Sequence, residues 1–215
     1  NDELQVLETK FQKPSLRLYY LAVAPEQFLK IVNNLGQFPL QDNNLTPRLI
    51  IEKPFGRDLT SATSLNKNIL KVFKEENIYR IDHYLGKEML QNIIFIRFAN
   101  AFFEPLWNFQ YIEEVEIMAS ETLGVGTRGA YYDQAGASRD MLQSHLLQLL
   151  ALIAMEPPLS LNTEDIRNEK VRLLKSLSKQ DLKETLIRGQ YQGYQDEKGV
   201  PPYSNTETYL ALKTY

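Results

Sequence analysis

Residues Arg80-Ile81-Asp82-His83-Tyr84-Leu85-Gly86-Lys87-Glu88 place an acid, an imidazole, a phenol and an ammonium within the six positions from Asp82 to Lys87. Ile78 to Ile81 alternates apolar and polar residues, the period-two mark of a strand. Gly86 breaks the chain, and Lys87 to Phe98 then reads as a helix. A polar turn between strand and helix lies where open α/β sheets gather ligands, outside the carboxyl ends of the strands. The first amides of such a helix have no intrahelical acceptor and suit an anion. Lys87 adds a positive charge there, and His83 and Tyr84 add hydrogen-bonding groups. A capping cluster on a solvated turn is the plainer reading of a lone D-H-Y, but nine residues of this character in succession favour a site.

Upstream, strands and helices alternate. Leu16 to Val23 reads as a buried strand, and Pro25 suits the first turn of a helix to about Leu35. Asp42-Asn43-Asn44 supplies a turn, and Arg48 to Glu52 a second strand closed by Pro54 and Gly56. Asp58 is placed to cap a helix reaching about Glu76, with Leu59, Ala62, Leu65, Ile69, Val72 and Phe73 on its apolar side. Residues Asn1 to Pro14 carry no pattern that demands an element. This is the order of an α/β domain with a parallel sheet.

Downstream the rhythm changes. Ile112 to Glu121 alternates as a strand, Arg139 to Met155 is a long helix stopped by Pro157-Pro158, and Thr163 to Leu177 is a charged amphipathic helix. Gln190 to Ser204 reads as loop and Thr206 to Thr214 as strand. The expected division is therefore 1–85 as one domain and 86–215 as a second, of α+β type.

A chain of 215 residues with 43% hydrophobic content can bury a core. Its net charge of −3 gives no footprint for nucleic acid or an anionic membrane. The absence of cysteine rules out disulfides and thiolate chemistry and suits the cytoplasm. No apolar run reaches the roughly 18 residues of a spanning helix, and the N-terminus lacks a signal pattern. Two histidines without metal-ligand spacing predict no metal site.

The stretch RIDHYLGKE resembles the active-site signature of the glucose-6-phosphate dehydrogenase family. The similarity continues through EKPFGRD (Glu52 to Asp58), RFANAFFEPLWN (Arg97 to Asn108) and Gly124 to Pro158, in order along most of Arg17 to Tyr215. It implies a partial Rossmann-like parallel sheet followed by a partial α+β domain with a large, mainly antiparallel sheet. The implied activity is oxidation of glucose 6-phosphate at C1 to 6-phosphogluconolactone, with NADP, or NAD as the alternative, taking the hydride. A cytoplasmic homo-oligomer associating through the second-domain sheet is implied as well. Ser144, where the family usually has Asn, and Ser138 depart from the pattern in ways that touch local packing rather than reaction class.

One motif misleads. Gly124-Val125-Gly126-Thr127-Arg128-Gly129 has the G-x-G-x-x-G form of a dinucleotide fingerprint, but Ala130 to Gly136 does not read as an apolar helix, so a flexible loop is expected. The family's coenzyme loop lies near the N-terminus and no Gly-rich loop occurs there. The chain thus reads as truncated at both ends and, as a polypeptide, as lacking useful dehydrogenase activity. The competing reading is a sugar-phosphate-binding module without turnover.

His145 shares its expected helix face with Met141, Leu142, Leu149 and Leu152, which favours a packed core histidine. Asp140, five residues earlier on an α-helix, would not share that face. Oxidising a hemiacetal hydroxyl needs a base near neutrality, and histidine suits it. The residues alone do not say which of the two histidines serves. The resemblance does: it implies His145 as base, Asp82 as the carboxylate orienting it, and His83, Tyr84 and Lys87 on the phosphate. It also implies Glu121 and Asp140 on sugar hydroxyls, Lys53 between sugar and nicotinamide, and Ala22 and Pro54 beside the coenzyme.

Overall fold

A computed structural model describes residues 2–12, 15–37, 46–178 and 181–215, which form two compact units, Asn1–Asp82 and His83–Tyr215. Among the described residues no helix is long and apolar enough to cross a membrane.

The first unit opens with α1 (Asp2–Phe11) and continues β1 (Leu18–Leu21), α2 (Phe28–Leu35), β2 (Arg48–Ile51), α3 (Leu59–Ile69) and β3 (Ile78–Arg80). The three strands lie in the order β1-β2-β3, all parallel, with Leu21 beside Ile51 and Ile51 beside Arg80. Pro25 leads a 3₁₀ turn, Pro25–Gln27, into α2, where the missing proline N–H costs no helical bond. Phe28 and Val32, one turn apart, are fully buried against Leu21, Leu49, Ile51, Ile69, Phe73 and Ile78. Asp58 closes the start of α3: its carboxylate accepts the Ser61 N–H at 2.7 Å while Ser61 Oγ accepts the Asp58 N–H at 3.0 Å. Asp58→Ala is expected to cost about 1 kcal/mol, read as a lower urea midpoint; an unchanged midpoint would contradict this account of the cap.

Several expectations are corrected. Residues 2–11 form a helix whose Val6, Leu7 and Phe11 are exposed. Among its described side chains none is buried, so periodicity had nothing to register. β1 is shorter than Leu16 to Val23 and exposes Leu18 and Tyr20, because it ends the sheet and covers one face only. α3 stops at Ile69, and Leu59 on its first turn is 84% exposed, beyond the core. The turn expected at Asp42-Asn43-Asn44 lies outside the described residues. The Lys53–Pro54 peptide is cis.

The second unit runs α4 (Glu88–Phe98), α5 (Gly129–Ala137), a π-helical segment Ser138–Leu146, α6 (Leu147–Ala154), α7 (Thr163–Ser176), α8 (Leu182–Thr185), β4 (Leu186–Gly189) and β5 (Tyr209–Leu212). β4 and β5 pair antiparallel, from Leu186 opposite Leu212 to Gly189 opposite Tyr209. α6 packs against both α4 and α7. Two readings fail here. Ile112 to Glu121 alternates but is not a strand: no ladder partner meets it among the described residues, and Val115 and Met118 stay exposed. Gly124 to Gly129 does not lead into a flexible loop. Gly126–Arg128 is a 3₁₀ turn running into α5, and Gly129 is buried so tightly that a Cβ would stand 2.4 Å from the Lys198 carbonyl oxygen.

Candidate functional site

The helix that carries His145 is not a plain α-helix. From Ser138 to Leu146 it is π-wound: the Leu147 N–H donates to the Leu142 carbonyl, and Ser144 Oγ donates to the Arg139 carbonyl at 2.9 Å. In this winding the i→i+5 bond sets the turn, so residues five apart stand one turn from each other. Asp140 and His145 have that spacing, which corrects the expectation that they belong to different faces. π turns of this kind recur at functional sites.

His145 is buried, 2% exposed, yet its neighbours are polar rings rather than core aliphatics alone. Its imidazole stacks on Tyr84, centroids 4.1 Å apart at 17°, and meets His83 edge-on at 4.9 Å and 87°. His83 also meets Tyr84 edge-on at 5.0 Å. Lys87 Nζ lies 3.8 Å from the centre of the Tyr84 ring, where the negative π face attracts an ammonium. Four of the residues singled out in the sequence are thus one cluster, three of them on the turn 83–87 and the fourth on the π segment. Lys87 stands at the N-cap of α4 and His83 is exposed, so the cluster lies at the helix end whose first amides lack intrahelical partners. The arrangement gathers a cation, a phenol and two imidazoles, one of them sheltered, at the start of a helix.

The other residues lie elsewhere. Asp140 is half-buried, with Tyr131 Oη at 3.5 Å from its carboxylate. Burial first, then the Asp140 charge, pushes the Tyr131 phenol up. Glu121 is exposed on the unpaired stretch, and no hydrogen bond or ion pair of its own ties it to the cluster. Asp82, half-buried, is the last residue of the first unit and directly precedes His83. Ala22 follows β1 and Lys53-Pro54 follows β2, both at the carboxyl edge of the parallel sheet. That edge is where open parallel sheets receive ligands, and Ala22 there is small and exposed. The Gly124 motif does not supply a pyrophosphate cradle, because no strand precedes it and Gly129 is packed against the chain at Lys198.

Sequence reasoning missed what holds the helix in place. Arg97 on α4, 4% exposed, donates to the Leu152 carbonyl at 2.7 Å and the Met155 carbonyl at 2.6 Å. Trp107 Nε1 donates to the Ile153 carbonyl at 2.7 Å. The Leu152 and Ile153 carbonyls belong to the last turn of α6 and that of Met155 to its C-cap, where carbonyls lack helical partners. Burial lowers the Arg97 guanidinium to about 10, with Glu156 opposing the shift, so it stays charged at neutral pH. The available signal was an arginine and a tryptophan inside the apolar run Arg97 to Asn108.

A family model described as the NAD binding domain of glucose-6-phosphate dehydrogenase matches residues 1–92, and one for the C-terminal domain of the same enzyme matches residues 94–215. The chain is 51% identical to the glucose-6-phosphate 1-dehydrogenase of Bacillus subtilis, over 98% of this chain and 46% of that protein. It is 47% identical to that of Rhizobium meliloti, over 94% and 43%. Among solved structures, a glucose-6-phosphate dehydrogenase in complex with its substrate glucose-6-phosphate superposes with a TM-score of 0.90 at 37% identity, covering 99% of this chain and 46% of that one. The enzyme from Mycobacterium avium gives 0.85 at 41% identity, covering 97% and 46%. The chain spans about half the length of the curated relatives it matches.

Proposed function

We propose, because the chain belongs to the glucose-6-phosphate dehydrogenase family, that the protein carrying it oxidises glucose 6-phosphate at C1 to 6-phosphogluconolactone. The observation that carries this reading is the cluster of His83, Tyr84, Lys87 and His145, a turn bearing a cation joined to a buried imidazole. His145 accepts the C1 hydroxyl proton as C1 gives up its hydride and the C1=O bond of the lactone forms. A nicotinamide coenzyme, NADP by resemblance with NAD as the alternative, supplies the hydride acceptor when bound. Ala22, Lys53 and Pro54 are assigned to it, on residues 1–85, and Lys53 also to the sugar. His83, Tyr84 and Lys87 are assigned to the phosphate, Glu121 and Asp140 to sugar hydroxyls, and Asp82 to setting the tautomer of the base, with 86–215 as the substrate domain. A cytoplasmic homo-oligomer built through the sheet of that domain completes the proposal.

Lys87 separates phosphate recognition from support of the fold. A hydrogen bond to a charged group contributes about 1.5–3 kcal/mol, so Lys87→Ala is expected to raise KM for glucose 6-phosphate by about ten- to a hundredfold. Free glucose, which has no phosphate, should lose far less. Equal losses for both sugars would remove Lys87 from the phosphate site.

A further inference from the structure

Glu207 reaches the start of the π segment from the loop before β5. Its carboxylate accepts the Ser138 N–H at 3.1 Å and the Ser138 hydroxyl, and its backbone carbonyl accepts the Ala137 N–H at 2.9 Å. The helix path breaks just before, at Gly136, with φ 67° and ψ 172°. A Cβ on Gly136 would stand 2.7 Å from Glu207 Oε1, so glycine is needed both for the backbone and for the approach of the carboxylate. Glu207 is itself held on both sides. Thr206 Oγ1 donates to the Asp133 carbonyl at 2.7 Å, and the Thr208 N–H donates to the Gly189 carbonyl at 2.9 Å.

We infer that Glu207 is a positioning residue for this site: it fixes where the helix restarts after Gly136, and so the π register in which Asp140 and His145 stand one turn apart. The inference rests on the functional reading of those two residues. At a restarted helix the first amides have no carbonyl behind them, and Glu207 takes two of them, from Ala137 and Ser138. A carboxylate also complements the positive end of the helix dipole. Burial alone would push the Glu207 carboxyl up, but the Ser138 hydrogen bonds, with the Arg188 charge, hold it below the usual range, so the group at the helix start is the anion. At the far end Arg97 and Trp107 hold the carbonyls of Leu152, Ile153 and Met155. The segment is pinned at both ends, and the wide π turns take up the residues between.

The test uses the protein that carries this chain. Misplacing a reacting group by about 1 Å can cost on the order of a hundredfold in rate, so Glu207→Ala is expected to lower kcat for glucose 6-phosphate about ten- to a hundredfold below the Tm of the variant. Glu207→Gln, which keeps an oxygen for Ser138, should recover most of it, and Gly136→Ala should behave like Glu207→Ala. Amide exchange of residues 138–147 should quicken in Glu207→Ala while that of β4 and β5 holds. A folded Glu207→Ala protein with wild-type kcat, or unchanged exchange over 138–147, overturns the inference. Wild-type protein without dehydrogenase activity would defeat the functional reading instead, and the exchange measurement would still decide the role of Glu207.

Discussion

Replacing His145 with asparagine is expected to lower kcat for glucose 6-phosphate by about 10²–10⁴-fold, the usual worth of a general base. That is roughly 3–5 kcal/mol at about 1.36 kcal/mol per decade. The Kd for the sugar phosphate should change little, since the imidazole is needed for the proton and not for the ground-state complex. Asparagine is the useful replacement because it keeps a planar polar group against the Tyr84 ring, 4.1 Å from its centre in the parent stack. A packed core histidine predicts the reverse: a lower Tm with kcat intact. His83→Asn should instead weaken glucose 6-phosphate binding with a smaller change in kcat, because His83 is exposed on the turn that also carries Lys87. If His145→Asn keeps near-normal kcat, the base has to be sought at His83.

The second large effect is on stability. Arg97→Met keeps the apolar stem and removes the charge, leaving the Leu152 and Met155 carbonyls without their donors. Each buried group left unpaired costs about 1–3 kcal/mol. The guanidinium also lies 4.5 Å from the centre of the Phe98 ring and 5.4 Å from that of Trp107, a contact that methionine gives up. A loss of about 2–5 kcal/mol is expected, measured by urea unfolding. Arg97→Lys should rescue little, since one ammonium does not reproduce a fork that reaches two carbonyls. A loss under about 1 kcal/mol would show that α6 does not depend on this clamp.

What could be read in the sequence was what burial imposes. Leu49 and Ile51 alternate on β2, and Phe28 and Val32 repeat on α2, because each set faces one core. The same logic misread Ile112 to Glu121, where alternation exists without a ladder to make it a strand. The π winding leaves no mark, since Met141, Leu142, Leu149 and Leu152 fit an α-helical face as well, and the placement of Asp140 followed from that assumption. His83, Tyr84 and Lys87 were legible as a group because they lie close in the chain; that His145 belongs with them came only from the resemblance. Glu207 and Arg97 act across 69 and more than 50 positions of sequence, a distance no local pattern spans.

Turnover of a sugar phosphate differs from mere retention in that hydride leaves C1. Glucose 6-phosphate deuterated at C1, incubated with NADP and the protein that carries this chain, separates the two. The expected products are reduced coenzyme bearing the deuterium and one equivalent of 6-phosphogluconolactone, both lost in His145→Asn. Saturable binding of glucose 6-phosphate with no deuterium reaching NADP or NAD would contradict turnover and leave a binding module.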